Sequence, residues 1–139
     1  MEFTVNRDIF LKSLSHAYGI IEKKTTLPIL SNILIEAKNS KIRITATDLD
    51  IIYSEDIPVI DLKNEGSTTT SASVLFDILR KLESGSKVAL SLNSTNKLKL
   101  ISDNSKFNLL CISPDNFPLS NEDPKQKTFE ISSEKLLKL

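Results

Sequence analysis

Tryptophan is absent from this 139-residue chain, and histidine, cysteine and methionine occur once each. A single cysteine, Cys111, excludes an internal disulfide and fits a reducing compartment. One histidine and one cysteine cannot supply the nitrogen and sulfur ligands of a zinc site, so no metal and no cofactor is expected. The three glycines, Gly19, Gly66 and Gly85, lie too far apart to build a phosphate-cradling loop or a dinucleotide fingerprint. No apolar run approaches the roughly 18 residues of a membrane span. The N-terminus, Met1-Glu2-Phe3-Thr4-Val5, has an acid at its second position and no apolar signal-peptide core. These absences predict a cytoplasmic chain with no membrane partner. Charge of one sign is missing too: eighteen basic and eighteen acidic residues cancel. That excludes a uniformly basic nucleic-acid binder and leaves room only for a local basic face.

What is present is the composition of a folded chain, 40% hydrophobic and 26% charged. Alternation over 2–6 predicts a strand. Phe10, Leu14, Ala17 and Ile21 share one face of a helix over Arg7–Tyr18, with Gly19 as its stop. A loop over 20–26 precedes strands at 32–38 and Lys41–Thr47, and a third, longer strand over 49–60. Pro58 in that strand favours a sheet edge or a bend. After a turn at Asp61–Gly66 come a strand at 67–71, a helix over 73–82, and strands at 88–92, 98–100 and 107–110. Ser, Asn and Asp fill the turns Asn93–Asn96 and Ser102–Ser105. The order strand, helix, three strands therefore occurs twice. Asn39-Ser40-Lys41-Ile42-Arg43-Ile44 is echoed by Thr95-Asn96-Lys97-Leu98-Lys99-Leu100, 56 positions later. The expected fold is α+β: two βαβββ units whose two helices pack on antiparallel sheets.

A longer repeat follows. Residues 120–127 contain no apolar side chain and read as a linker. Beyond them, Phe129-Glu130-Ile131-Ser132-Ser133-Glu134 falls in step with Phe3-Thr4-Val5-Asn6-Arg7-Asp8, 126 positions earlier. The expected organisation is one complete domain over 1–120, a linker over 121–128, and over 129–139 the opening of a second copy, stopping about one turn into its helix.

Candidate chemistry is thin. His16 shares a helix turn with Ser13 and Ser15 without the geometry of a nucleophile and its base, and reads as an ordinary helix residue. Cys111 sits in an apolar strand and reads as a packed thiol. Asp48 and Asp50 lack the glycine of a calcium loop, and their ordinary role is to accept bonds from turn backbone. No catalytic residue is expected. The basic residues say more. Arg7 and Lys12 belong to the first helix, Lys23 and Lys24 to the loop after it, and Arg80 and Lys81 to the end of the second helix. Fifteen of the eighteen basic residues are Lys, a flexible point charge without the guanidinium fork that reads base edges. They form either a solvated helix face or a surface for a phosphate backbone. No aromatic platform is interleaved with them in the sequence, so non-specific duplex contact is a better match than single-strand stacking.

Thr26-Leu27-Pro28-Ile29-Leu30-Ser31-Asn32, Thr45-Ala46-Thr47-Asp48-Leu49, the opening Met1-Glu2-Phe3-Thr4-Val5 and Phe117-Pro118-Leu119 complete the pattern. With the βαβββ doublet, the chain resembles the bacterial sliding clamp, the beta subunit of DNA polymerase III, from residue 1 to 139. The resemblance implies a DNA clamp fold and a non-catalytic processivity factor. Its ring would be closed by two three-domain protomers meeting head to tail around duplex DNA. It implies that Lys24 stands where the family often carries a DNA-contacting Arg, and that Lys12 and Arg80 face the hole. It also implies that Ser73 departs from the family pattern, standing where a basic residue is common. Phe107 and Leu109 match the family's apolar ring contact, flanked by Lys97 and Lys106. Polymerase and clamp loader would bind through regions outside this chain, and the setting would be the nucleoid in the cytoplasm. The competing reading is a β-rich protein-interaction module with no DNA role.

Overall fold

The computed structural model describes residues 1–21, 23–119 and 127–139. Strand β1 (Glu2–Asn6) runs directly into helix α1 (Arg7–Tyr18). Asn6 sets the switch: its side-chain oxygen accepts from the N–H groups of Asp8 and Ile9 at 2.9 and 3.2 Å. Those are two of the donors that a helix start leaves open. The helix buries Phe10, Leu14 and Ala17, the face expected from periodicity, and Ile21 is buried just beyond it. A 3-10 turn, Pro28–Ser31, leads to β2 (Asn32–Lys38), β3 (Lys41–Thr47) and β4 (Ile52–Pro58). Asn39 and Ser40, at φ 52° and 59°, make the two-residue turn between β2 and β3, a shape that matches the twist of paired strands. After β5 (Asp61–Asn64) the second half repeats the first as β6 (Gly66–Ser71), α2 (Ala72–Lys81), β7 (Lys87–Leu92), β8 (Lys97–Ser102) and β9 (Ser105–Ile112). Ser71 caps α2 as Asn6 caps α1, accepting from the Val74 N–H at 3.4 Å. β3 and β8 start at the residues that the internal repeat had aligned.

Two expectations are corrected. The strand expected over 49–60 begins only at Ile52, because the Asp48 carboxylate accepts from the N–H groups of Asp50 and Ile51 at 3.0 and 2.8 Å and holds a turn there. The turn expected at 61–66 contains β5. Its Asp-Leu-Lys-Asn sequence has no strand periodicity, and it is extended because β1 offers it a partner edge, Phe3 opposite Leu62 and Thr4 opposite Asp61. Pro58 ends β4, which is an edge strand as expected.

The sheet is antiparallel with the order β4-β3-β2-β6-β9-β8-β7-β1-β5. The first strand of each half is exchanged: β6 pairs with β2 of the first half, and β1 pairs with β7 of the second. The two halves are thereby sewn into one unit. Their direct seam is narrow, since β6 meets β9 only at Thr69 opposite Ile112 and Thr70 opposite Cys111. Buried threonines widen it. Thr69 Oγ1 donates to the Ile112 carbonyl at 2.8 Å, and Thr70 Oγ1 donates to the Leu110 carbonyl at 3.0 Å. Both helices rest against the sheet, and the core between them holds Phe3, Phe10, Leu14, Leu75 and Leu79 with Ile33, Ile44 and Leu90.

Most of the linker expected over 121–128 lies outside the described residues. Beyond it, 127–132 form no strand, and Ser133–Leu137 form a short helix, α3. The strand expected near Phe129 is missing for a physical reason. In this architecture an opening strand needs a neighbouring sheet to complete its ladder, and none of the described strands pairs with it.

Candidate nucleic-acid interface

Helices α1 and α2 lie side by side. Each turns its apolar stripe to the sheet, so the opposite faces carry the polar residues. Lys12 on α1, Lys23 and Lys24 after it, and Arg80 and Lys81 at the end of α2 are all exposed. A shallow groove between the helices is lined by Arg7, Asp8, Leu11, Lys12, Phe76 and Arg80, with Ser15 at its edge. Five of the six basic residues singled out from the sequence therefore lie exposed on one helix layer or on the connection leaving it.

Arg7 is placed differently. Its side chain is only 13% exposed. Nε donates to the Leu79 carbonyl at 2.8 Å, and one terminal nitrogen donates to the Arg80 carbonyl at 3.1 Å. The other terminal nitrogen meets Asp8 Oδ1 at 2.9 Å. The guanidinium thus closes the carbonyl end of α2, where unpaired C=O groups favour a cation. Asp8 also accepts from the Gly85 N–H at 2.9 Å and from the Ser84 hydroxyl. The Arg7 hydrogen bond holds the Asp8 carboxyl below its usual range. The pair joins the start of α1 to the end of α2.

The aromatic residues among these cations were not visible as a group in the sequence. The Tyr18 and Phe76 rings stack with centres 4.8 Å apart and planes 19° from parallel. Lys23 Nζ lies 4.2 Å from the Tyr18 ring centre, and the Arg80 guanidinium carbon lies 5.5 Å from that of Phe76. The expectation of no interleaved aromatics is thus corrected by the tertiary structure, which joins rings 58 residues apart in sequence. The one local signal was the i, i+4 spacing of Phe76 and Arg80. Each cation–ring contact contributes about 0.5–1 kcal/mol at exposed sites.

Other polar clusters are structural. Tyr53 Oη donates to Glu55 at 2.5 Å, and His16 Nδ1 lies 3.2 Å from that hydroxyl. Burial, reinforced by Glu55, pushes Tyr53 up to about 12, and the Tyr53 hydrogen bond holds Glu55 low. Arg43 and Lys41 grip Asp56 at 2.7 and 3.1 Å and pull its carboxyl down to about 2. Cys111 is half-buried, its thiol directed to the Leu109 carbonyl at 3.7 Å. Among the described residues, no three His, Cys, Asp or Glu side chains are grouped to hold a metal ion. No helix there is long and apolar enough to cross a membrane.

The residues assigned to a ring contact lie on β8 and β9. Phe107 and Leu109 stand opposite Leu100 and Leu98 and face the core; Leu109 is only 4% exposed and Phe107 is half-buried. Lys97 and Lys106 are exposed. Leu110, opposite Lys97, is 78% exposed and was not singled out from the sequence. Because β6 meets only the far end of β9, residues 105–109 are paired on the β8 side alone among the described strands.

A twice-repeated βαβββ unit with exchanged first strands, two adjacent helices on one side and cations on their outer face defines a domain of the DNA-clamp class. The comparisons with known proteins agree with that class. Residues 1–121 match the family described as DNA polymerase III beta subunit, N-terminal domain. The whole chain aligns with the beta sliding clamps of Caulobacter vibrioides, at 34% identity, and of Buchnera aphidicola from Acyrthosiphon pisum, at 35%; it covers 37% and 38% of their lengths. Among solved structures it superposes on Caulobacter crescentus pol III beta with a TM-score of 0.93 at 32% identity, covering all of this chain and 37% of that one. On a Bartonella birtlesii DnaN sliding clamp bound to griselimycin the TM-score is 0.90 at 38% identity, covering 98% of this chain and 36% of that one. The chain belongs to the DNA polymerase III beta subunit family, the beta sliding clamps, and corresponds to the N-terminal domain. It spans a little over a third of the length of these relatives.

Proposed function

We propose that this chain is the first domain of a non-catalytic clamp that encircles duplex DNA and tethers the replicative polymerase. Residues 1–120 form that domain, 121–128 the linker, and 129–139 the start of the next copy. The observation that carries the reading is the helix layer, where Lys12, Lys23, Lys24, Arg80 and Lys81 are exposed together. Arg7 contributes from beneath, by tying the two helices to each other. Mostly lysine, these cations hold phosphates without reading bases. A sliding ring requires such weak contact. Non-specific binding typically has a Kd of about 10⁻⁴–10⁻⁶ M at physiological salt, and persistence then comes from closure of the ring.

The open edge of β9 supports the second half of the proposal. A head-to-tail partner would add a strand along 105–109 beside Phe107 and next to Leu110, with Lys97 and Lys106 at the rim and Leu109 supporting from within. Polymerase and clamp loader would bind elsewhere on the longer protein, so this chain alone should not capture their peptides.

The test is association with a duplex of arbitrary sequence, measured across a salt series. A linear fall of log K with log salt, weakened by Lys24→Glu, is expected. Salt-independent association, or a Lys24→Glu chain that binds as well as the original, would leave a protein-interaction module as the better reading.

A further inference from the structure

We infer that the stacked Tyr18–Phe76 pair positions the DNA-facing cations, holding the Lys23 ammonium and the Arg80 guanidinium in place so that separate elements present them to one duplex together. This rests on the DNA reading above. Its basis is an unbroken series of contacts, with Lys23 4.2 Å from the Tyr18 ring, Tyr18 4.8 Å from Phe76, and Arg80 5.5 Å from Phe76. Three pieces of chain meet in it: the last residue of α1, the connection after α1, and one turn of α2.

The physical argument concerns entropy. An exposed lysine samples many rotamers and loses that freedom when it engages a phosphate. A cation already drawn to a ring face has lost part of it before DNA arrives. The rings are poor platforms for bases, because both are half-buried and each already contacts the other ring and a cation. A pair that merely packed the helices would stabilise the fold and leave the association of folded protein unchanged.

A double-mutant cycle separates these roles, with duplex association of the 139-residue chain read by fluorescence anisotropy at low salt. Tyr18→Leu keeps every charge and removes the ring. It should weaken association by about twofold to fivefold, the size of one exposed cation–ring contact, and Tyr18→Phe should restore it. In a Lys23→Gln background Tyr18→Leu should cost less, only what the ring stack passes on to Arg80. Circular dichroism and thermal unfolding confirm that each variant is folded; should Tyr18→Leu not fold, Phe76→Leu is read against Arg80→Gln in the same way. An equal loss with and without the paired cation overturns the positioning role and leaves the DNA reading standing. No salt-dependent association of the unaltered chain overturns both.

Discussion

At the scale of single residues, the basic side chains divide by what their nitrogens touch. Arg7 has committed its guanidinium to two carbonyls of α2 and to Asp8. Its removal takes a charged donor from both carbonyls, leaving Leu79 only the 3.3 Å bond from the Leu82 N–H and Asp8 only Ser84 and Gly85, and hydrogen bonds to charged groups contribute about 1.5–3 kcal/mol. Arg7→Ala should therefore destabilise the chain by about 2–3 kcal/mol in urea unfolding, and Arg7→Lys should recover only part, since an ammonium cannot reproduce the planar fork. Lys24→Glu, by contrast, should leave unfolding within about 0.5 kcal/mol, as surface substitutions do. Asp56 yields a pH prediction. Its carboxyl falls from the ordinary 3.8 to about 2 through Arg43 and Lys41. A carboxyl depressed in the folded state binds fewer protons there than in the unfolded chain, so its contribution is complete above pH 4 and disappears as pH falls toward 2. The network is partly exposed and contributes roughly 1 kcal/mol or less. Acid titration of Asp56→Asn should show a shallower loss of stability between pH 4 and 2 than the original chain.

At the scale of elements, legibility followed periodicity. The bounds of β1, α1, β2 and β3 could be read because alternation or a 3.6-residue stripe runs up to a strong local signal, such as Asn6 before α1 or Asn39-Ser40 between β2 and β3. β5 could not, because its four residues are extended only by the edge of β1. The turn at Asp48 has a local signal, a carboxylate within reach of the next backbone N–H groups, and it shortens β4 at its start. In the candidate site, the exposed cations were legible as residue types on helices. The commitment of Arg7 and the Tyr18–Phe76 stack were not, because each is made across more than 50 residues of chain. The two caps give an element-scale prediction. Asn6 accepts two N–H bonds, the shorter at 2.9 Å, whereas Ser71 accepts one at 3.4 Å. Asn6→Ala should cost about 1 kcal/mol and Ser71→Ala less, measured by thermal unfolding.

At the scale of the whole molecule, the exchange of first strands makes the halves interdependent while their outer edges stay open. Two unpaired borders bear on a ring, β4 at one end of the sheet and the part of β9 that β6 leaves free, and they differ. β4 ends in Pro58, which has no N–H to donate, and carries Glu55 and Asp56, features that discourage strand addition. Residues 105–109 of β9 include Phe107, are followed by the exposed Leu110, and are paired on one side. The proposed ring requires β9 to meet an edge on another domain, and β4 of an identical copy is a poor substitute. Light scattering across a concentration series should therefore find the 139-residue chain as a monomer near 15.5 kDa. In a protein of the relatives' full length, Leu110→Lys should shift the population from ring to single protomer, yet change the stability of this domain by less than about 0.5 kcal/mol. A discrete six-subunit species of the short chain, abolished by Leu110→Lys, would instead show that the β9 edge accepts this domain's own β4 and that the first domain closes a ring by itself.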